Sequence, residues 1–214
     1  METIWVLGAG TFGRHAARTL SNMDGTRRLL LVDRDEEPLR RVPPQEGDTE
    51  RADAVAFLAA GLEGSDRPDW IVPAVPIHLA ARWCQARLGP GSLERHPVPE
   101  AVARALPNPL RAAPDELYVS HATFRCPPGC EEPRDTCTVT GRPRPANLFE
   151  LLGQLRVAPF RSLVVRSHQL GPGVGGYRPA QLLDLLEEVR RTRGPLLVST
   201  ACRCHGVVTG LVRR

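Results

Sequence analysis

Short apolar runs alternate along the chain with longer segments whose apolar residues recur every three or four positions. Short runs are typical of buried strands, and the longer spacing is typical of helices with one buried face. Within the segment from Ile4 to Asp33, a first strand is predicted to begin at Ile4 and a second strand to end at Asp33. Further strands are predicted at 70–74, 117–120, 162–166, 196–200 and 207–212. Helices are predicted from near Thr11 and at 51–62, 77–88, 100–106, 146–155 and 179–193.

This alternation predicts an α/β protein with a single doubly wound, mostly parallel sheet covered on both faces by helices. The chain has 214 residues, enough for one sizeable core and few for two. We therefore expect one domain over 1–214, with a Cys- and Pro-rich inserted loop at 123–145. Its prolines exclude a helix or a central strand there. The strand at 207–212 is expected to lie antiparallel at an edge.

The turn after the first strand carries glycines at a characteristic spacing. Residues 8–13 read Gly-Ala-Gly-Thr-Phe-Gly, and the second strand closes on Asp33, twenty residues after Gly13. This arrangement is the dinucleotide-binding fingerprint of a Rossmann-like fold. Gly8 permits the tight turn, Gly10 lets the backbone approach a pyrophosphate, and Gly13 allows close packing of helix on sheet.

The residues around these glycines complete the predicted nucleotide site. Thr11 and Phe12 begin the helix whose free N–H groups and positive dipole end face the phosphates. Asp33 is positioned to bind ribose hydroxyls and favours NAD, because a carboxylate repels the 2′-phosphate of NADP. The neighbouring Arg34 leaves NADP open.

A second group of candidates follows the other predicted strands. Ligands of such sheets bind outside the carboxyl ends of the strands. The residues found there are His78, His121, Ser167, His168, Gln169, Cys202, Cys204 and His205. Of these, His121, His168 and Cys202 are the catalytic candidates, as proton donor, base or ligand.

Five cysteines and a histidine form a candidate metal site. The candidate ligands are Cys126, Cys130, Cys137, Cys202, Cys204 and His205. Thiolate-rich sets favour zinc or an iron-sulfur cluster. Reactive redox thiols and unliganded cysteines are the alternatives left open. Cys84 lies apart, inside a predicted helix, where a buried small apolar residue is expected.

Another Gly-rich stretch, residues 168–179, joins a strand to a helix that starts at Pro179. It is interpreted either as an anion cradle, to which Arg178 supplies charge, or as a flexible connection.

The composition of the chain excludes several classes of function. All 28 basic residues are arginine, which excludes lysine chemistry such as a Schiff base or a P-loop. The arginines are scattered among acids, so no nucleic-acid face is indicated. No apolar run approaches a membrane span and no signal peptide precedes the first strand, so we expect a cytoplasmic protein without membrane insertion.

The N-terminal third resembles the dinucleotide-binding half of RCK-type regulators of potassium transport, through VLGAGTFG at 6–13 and VDRDEEPLRRV at 32–42. The resemblance implies that Gly8, Gly10, Gly13 and Asp33 contact NAD(H) or a related adenine nucleotide. It leaves open a homo-oligomer or a membrane-protein partner. Residues 126–205 have no counterpart in that family. The whole chain also resembles bacterial Rossmann-type proteins labelled as potassium transporters.

Two functions therefore follow from the sequence. The first is an NAD-dependent oxidoreductase with a Cys/His metal site beside the nicotinamide. The alternative is a non-catalytic nucleotide- or redox-sensing module of the RCK type.

Overall fold

The computed structural model describes residues 1–23, 25–64 and 66–214, whose strands form two larger sheets and a small hairpin. The strands are β1 Glu2–Leu7, β2 Arg27–Asp33, β3 Asp48–Arg51, β4 Trp70–Pro73, β5 Leu93–Arg95, β6 Leu110–Ala113, β7 Glu116–Ser120, β8 Arg161–Arg166, β9 His168–Gly171, β10 Val174–Gly176, β11 Gly194–Ala201 and β12 His205–Arg213.

Six of the seven described helices lie at predicted positions and are one to three residues shorter at most ends, whereas α2 was not predicted. They are α1 Thr11–Ser21, α2 Glu36–Arg40, α3 Ala54–Gly61, α4 Leu79–Leu88, α5 Glu100–Arg104, α6 Leu148–Gln154 and α7 Pro179–Arg191. None of them, within the described ranges, is long and apolar enough to cross a membrane.

The first sheet is parallel throughout, with the strand order β3-β2-β1-β4. The chain passes from β1 to β2 through α1, and β1 pairs with β2 on one side and with β4 on the other. Leu7 is consequently paired with both Val32 and Pro73. The carboxyl ends of these three strands meet at the edge where the Gly-rich turn begins, as the α/β prediction requires.

The second sheet shows that the prediction of a single doubly wound sheet is wrong. Its order is β6-β7-β12-β11-β8, with β5 also paired to β12, and its only parallel pair is β8 with β11 among the described strands. Three residues join β11 to β12. Such a connection is too short for a crossover, so β12 folds back antiparallel on β11. The antiparallel direction of this strand was predicted, but β12 also pairs with β7 and is therefore an interior strand and not the predicted edge strand.

The Gly-rich stretch after β8 is a hairpin and not a flexible connection. β9 and β10 pair antiparallel around Pro172 and Gly173, and Gly173 has a φ of +71°. Proline followed by a residue with positive φ is typical of a type II turn. The hairpin is joined to the first sheet by two backbone hydrogen bonds between Tyr177 and Ile71.

Side chains from both sheets contribute to one hydrophobic core. Trp5 of β1 belongs to the same buried cluster as Leu163 of β8 and Val198 of β11. Trp83 and Cys84 of α4 lie in this cluster too. The two sheets are thus packed through shared side chains, and Cys84 is the buried small residue that was expected.

The segment between β7 and α6 contains no helix and no strand, apart from one isolated bridge between Thr136 and Pro143. This agrees with its proline and glycine content. The segment leaves the second sheet at Ser120 and returns to it through α6.

His78, one of the residues predicted to follow a strand at the ligand edge, is part of the core. It precedes α4 and is only 3% exposed. Hydrogen bonds join its Nδ1 to Thr209 Oγ1 at 2.7 Å and its Nε2 to Thr200 Oγ1 at 2.9 Å. Burial, with a smaller contribution from the charge of Arg95, lowers the pKa of His78 to about 3.

This pKa predicts an acid-sensitive contribution to stability. Below pH 6.5 the unfolded chain protonates His78, whereas the folded chain does so only near pH 3. The free energy of unfolding should therefore fall as pH decreases through this window, by up to roughly 1.4 kcal/mol per pH unit. The variant His78→Gln should have a shallower slope in urea unfolding measured at successive pH values.

His96→Gln is the control for the loss of one histidine, because His96 bonds to its neighbour Pro97 outside the core cluster. Identical slopes for the wild type and the His78→Gln variant would contradict the buried neutral state of His78.

Candidate functional site

Three glycines shape the turn between β1 and α1. Gly8 has a φ of +112°, and a Cβ there would lie 2.6 Å from the carbonyl oxygen of Ala74. A Cβ on Gly13 would lie 1.8 Å from the oxygen of Gly8, whereas a Cβ on Gly10 would have no atom within 4 Å. Gly8 and Gly13 are therefore required by the fold, and Gly10 leaves open space where α1 begins.

Asp33 ties the end of β2 to this turn. Its Oδ2 accepts a hydrogen bond from the N–H of Ala9 at 2.7 Å, and its Oδ1 accepts one from the N–H of Asp35 at 3.0 Å. Each carboxylate oxygen can accept a further bond. The exposed Arg34 lies 3.7 Å from the carboxylate of Asp35. Asp33 thus supports the Gly-rich turn and keeps acceptor capacity for a hydroxyl ligand.

A cavity of about 790 Å³ lies beside the start of α1. Thr11, Phe12 and His15 line one side of it. The segment 121–145 and the turn between β11 and β12 line much of the rest. The cavity is also lined by the catalytic candidates His121 and His168 and by all six predicted metal ligands. These ligands are Cys126, Cys130, Cys137, Cys202, Cys204 and His205.

His205 lies between two of the cysteines. Its Nε2 is 3.4 Å from Cys126 Sγ, and its Nδ1 is 3.9 Å from Cys202 Sγ. The sulfur and nitrogen ligands of one tetrahedral zinc ion are about 3.6 Å apart, given Zn–S of about 2.3 Å and Zn–N of about 2.0–2.1 Å. The Cys126–His205 separation is close to that value.

Backbone N–H groups point at the sulfurs of three cysteines. Cys202 Sγ accepts from the N–H of Cys204 at 3.4 Å and of His205 at 3.3 Å. Cys130 Sγ accepts from the N–H of Glu132 at 3.4 Å. Hydrogen bonds from Thr140, followed by Val139, lower the pKa of Cys137. Such bonds favour the thiolate, which is the form that binds a metal, but at Cys202 burial and the Glu132 carboxylate outweigh them.

The pKa values of Cys126 and Cys202 are raised by different neighbours. Burial raises the pKa of Cys126, and the charges of Cys130, Cys204 and Cys137 raise it further. Burial, followed by the Glu132 carboxylate, raises the pKa of Cys202 to about 12. After burial, the pKa of Cys126 is thus affected by three other thiols that line the same cavity, and that of Cys202 by an acid.

Arg144 and Glu132 hold the Cys-rich segment, residues 123–145, over the cavity. The Nε of Arg144 donates to Cys204 Sγ at 3.1 Å, and its terminal nitrogens donate to the carbonyls of Arg134 and Pro133 at 2.7 and 2.9 Å. Glu132 accepts from the backbone N–H of Arg203. These contacts connect the segment to the turn between β11 and β12.

The two catalytic histidine candidates lie at strand ends. Burial lowers the pKa of His121, whose buried Nε2 has no hydrogen-bond partner in the described part of the chain. Burial, followed by the charge of Arg166, lowers the pKa of His168. His168 also stacks at a tilt on Trp70, with ring centroids 5.6 Å apart. Both imidazoles are therefore held in their neutral form near neutral pH.

Five cysteines line the same cavity, but their side chains are not arranged as the ligands of one metal ion. Across residues 1–23, 25–64 and 66–214, no group of three or more His, Cys, Asp or Glu side chains is placed so that it could hold a metal ion. A metal in this cavity would require rotations of the cysteine side chains. The exposed segment that carries three of them has no helix or strand to oppose such rotations.

The β9–β10 hairpin connects α1 to the Cys-rich segment. His15 Nε2 donates to the carbonyl of Pro172 at 3.0 Å. On the other side, the N–H of Gly173 and the side chain of Gln169 both donate to the carbonyl of Cys130, at 2.8 and 2.7 Å. The hairpin thus contacts the helix of the Gly-rich turn and the backbone of a candidate metal ligand.

Some of these residues were not found by sequence reasoning. His15 lies one helical turn after Thr11, so the spacing of four would have placed it on the same face. Glu132 and Arg144 lie in a segment without periodicity, where no local pattern indicates which side chains meet.

The comparisons with known proteins show the family of this chain. Residues 80–214 match the model of the family AF_1314_C, described as "Uncharacterized protein, C-terminal domain". The chain belongs to this family. The matched region begins in α4 and includes the second sheet, the hairpin and all six candidate metal ligands.

A protein of Archaeoglobus fulgidus, named "Uncharacterized protein", is 30% identical to this chain over 226 aligned residues. The alignment covers 97% of this chain and 98% of the relative. It therefore extends over nearly all of the part that precedes the family match, in which the Gly-rich turn lies.

The contact between the hairpin and the Cys-rich segment can be tested at Gly173. A Cβ there would lie 1.6 Å from the oxygen of Pro128, in addition to requiring the positive φ. Gly173→Ala should lower the free energy of unfolding by more than the roughly 1–3 kcal/mol of backbone strain alone. It should also make Cys130 react faster with a chromogenic disulfide reagent.

Gly91→Ala is the matched control, because Gly91 has a φ of +76° with no atom within 4 Å of a Cβ. Equal destabilisation by the two substitutions, with unchanged thiol reactivity, would show that the hairpin does not support this segment.

Proposed function

We propose that this chain is a Rossmann-type, NAD-binding oxidoreductase whose cavity takes both the dinucleotide and a thiolate-bound metal. One observation carries the proposal: a single cavity is lined by the start of α1 and by a concentration of thiols and imidazoles. A purely regulatory nucleotide site does not require ionisable groups where a nicotinamide would lie.

The nucleotide part of the proposal rests on the Gly-rich turn. The first N–H groups of α1 and the open space at Gly10 suit a pyrophosphate. Asp33 retains acceptor capacity for ribose hydroxyls, and its charge disfavours the 2′-phosphate of NADP. NAD bound there would supply the hydride acceptor or donor.

The metal part of the proposal rests on the grouped thiols. After burial, the charges of Cys130, Cys204 and Cys137 raise the pKa of Cys126, and His205 is at ligand separation from Cys126. We assign zinc in preference to an iron-sulfur cluster, because the 3.4 Å separation suits ligands of one ion. A zinc ion would fasten the segment 123–145 over the cavity.

His121 is the residue we assign to proton transfer. It lines the cavity, its pKa is lowered by burial, and its Nε2 has no partner in the described chain. A neutral imidazole with a free nitrogen can accept the proton of a substrate hydroxyl as hydride leaves the carbon. His168 contacts Trp70 and we assign it to positioning, whereas Cys202 remains protonated near neutral pH because of its raised pKa.

Nucleotide binding is tested by Gly10→Asp. The substitution fits sterically but places a negative charge in the proposed pyrophosphate site, so NAD affinity should fall at least tenfold while the melting temperature is retained. Gly153→Asp is the control, since it adds the same charge to α6, also with no atom within 4 Å of its Cβ. Equal NAD affinity in titration calorimetry for both variants would refute the nucleotide site.

Metal binding is tested on protein purified without oxygen. Elemental analysis should find about one zinc per chain, and Cys126→Ser should lose most of it. Cys84→Ala is the control, because Cys84 lies in the core and should leave the zinc content unchanged. Protein without zinc or iron, with every thiol titratable, would rule out the metal site.

Catalysis is tested by following nicotinamide absorbance with a panel of small alcohols and 2-hydroxy acids. His121→Asn should lower turnover by about 10²–10⁴, the usual contribution of a general acid or base, without changing NAD affinity. Tight NADH binding without turnover of any panel member would overturn the oxidoreductase and favour the sensing module.

A further inference from the structure

The cavity wall has an excess of positive charge that neither a nucleotide nor a metal site explains. It carries three arginines, Arg125, Arg142 and Arg144, and one carboxylate, Glu132. Glu132 is already bound to the backbone of Arg203. Most of the arginines that do not line the cavity form salt bridges with acids, whereas none of the three in the cavity wall does so within the described part of the chain.

The three arginines differ in what they already contact. Arg144 donates to a sulfur and to backbone carbonyls, so it serves the Cys-rich segment. The side chains of Arg125 and Arg142, in contrast, have no acidic and no hydrogen-bonding partner among the residues that the structure describes. Two guanidinium groups are thus left free at one cavity.

Apolar side chains lie in the same cavity wall. Phe12 is 73% exposed, Val139 52% and Phe124 37%, and all three line the cavity. Large apolar side chains that remain exposed beside a cavity are typical of ligand sites, where a few polar groups fix the orientation of an apolar body. The wall therefore combines an apolar surface with two free cations.

We propose that Arg125 and Arg142 bind the acidic head group of the substrate, a carboxylate or phosphate, whose apolar body packs on Phe12, Phe124 and Val139. The inference rests on the proposed function, because it names the substrate class of the same cavity. Guanidinium groups bind both head groups through paired, charge-assisted hydrogen bonds. The nucleotide phosphates lie instead against the N–H groups of α1 in this arrangement.

The experiment measures the binding of phenylacetate, phenyl phosphate and neutral phenylacetamide to the zinc-containing protein by titration calorimetry, with and without NAD. Both acids should bind at least tenfold more tightly than the amide. Each of Arg125→Gln and Arg142→Gln should weaken acid binding on the order of tenfold, the usual effect of losing one charge-assisted hydrogen bond, and leave amide binding unchanged. The tighter of the two acids identifies the head group.

Arg104→Gln is the matched control, since it removes an exposed arginine of α5 that does not line the cavity. Melting temperatures verify that the variants fold. Equal binding of acid and amide, or unchanged acid binding after loss of both arginines, would overturn the proposal. An equal loss of NAD affinity in the variants would also overturn it, because the arginines would then serve the nucleotide.

Zinc content and NAD affinity are measured on the same samples, so a failure of the proposed function is seen separately. Protein that binds no NAD but binds the acids through both arginines would retain the anion site while refuting the oxidoreductase.

Discussion

The antiparallel pairing of β11 with β12 is the constraint on which the candidate site depends. The pairing runs from Gly194 opposite Arg213 to Ala201 opposite Gly206, and a hydrogen bond from Cys202 to His205 closes the turn. Because β12 also pairs with β7, and β11 also pairs with β8, the ends of four strands meet at this turn.

Backbone hydrogen bonds hold the residues that follow β7 and β8 next to the turn between β11 and β12. The N–H of His121, after β7, donates to the carbonyl of Cys204, and the N–H of Ser167, after β8, donates to that of Ala201. Side chains then extend the arrangement: Arg144 connects the Cys-rich segment to Cys204. The hairpin through Gly173 finally connects this segment to α1, so the second sheet and the Gly-rich turn border one cavity.

Sequence reasoning succeeded where the signal was local. Apolar periodicity located every described helix except the short α2 to within three residues. The spacing of Gly8, Gly10 and Gly13 identified a turn in which Gly8 and Gly13 have no room for a side chain. The cysteines, His121 and His168 were expected to meet at the edge of one parallel sheet; they line one cavity, but the strands next to them belong to the second, mostly antiparallel sheet. That rule misplaced His78, because burial between Thr200 and Thr209 satisfies both of its nitrogens in the core.

The sequence by itself determined the order of elements, the Gly-rich turn and the presence of thiols and imidazoles after strands, because these depend on neighbouring residues. It also indicated the antiparallel direction of the last strand, whereas the predicted place of that strand at an edge was wrong because β7 and β5 pair with β12 as well. Only the tertiary structure decided that the strands form two sheets, that His15, Glu132 and Arg144 join the site, and that Arg125 and Arg142 are left unpaired. The physical reason is that strand pairing and side-chain contacts in irregular segments join residues far apart in the chain, whose partners no local periodicity specifies.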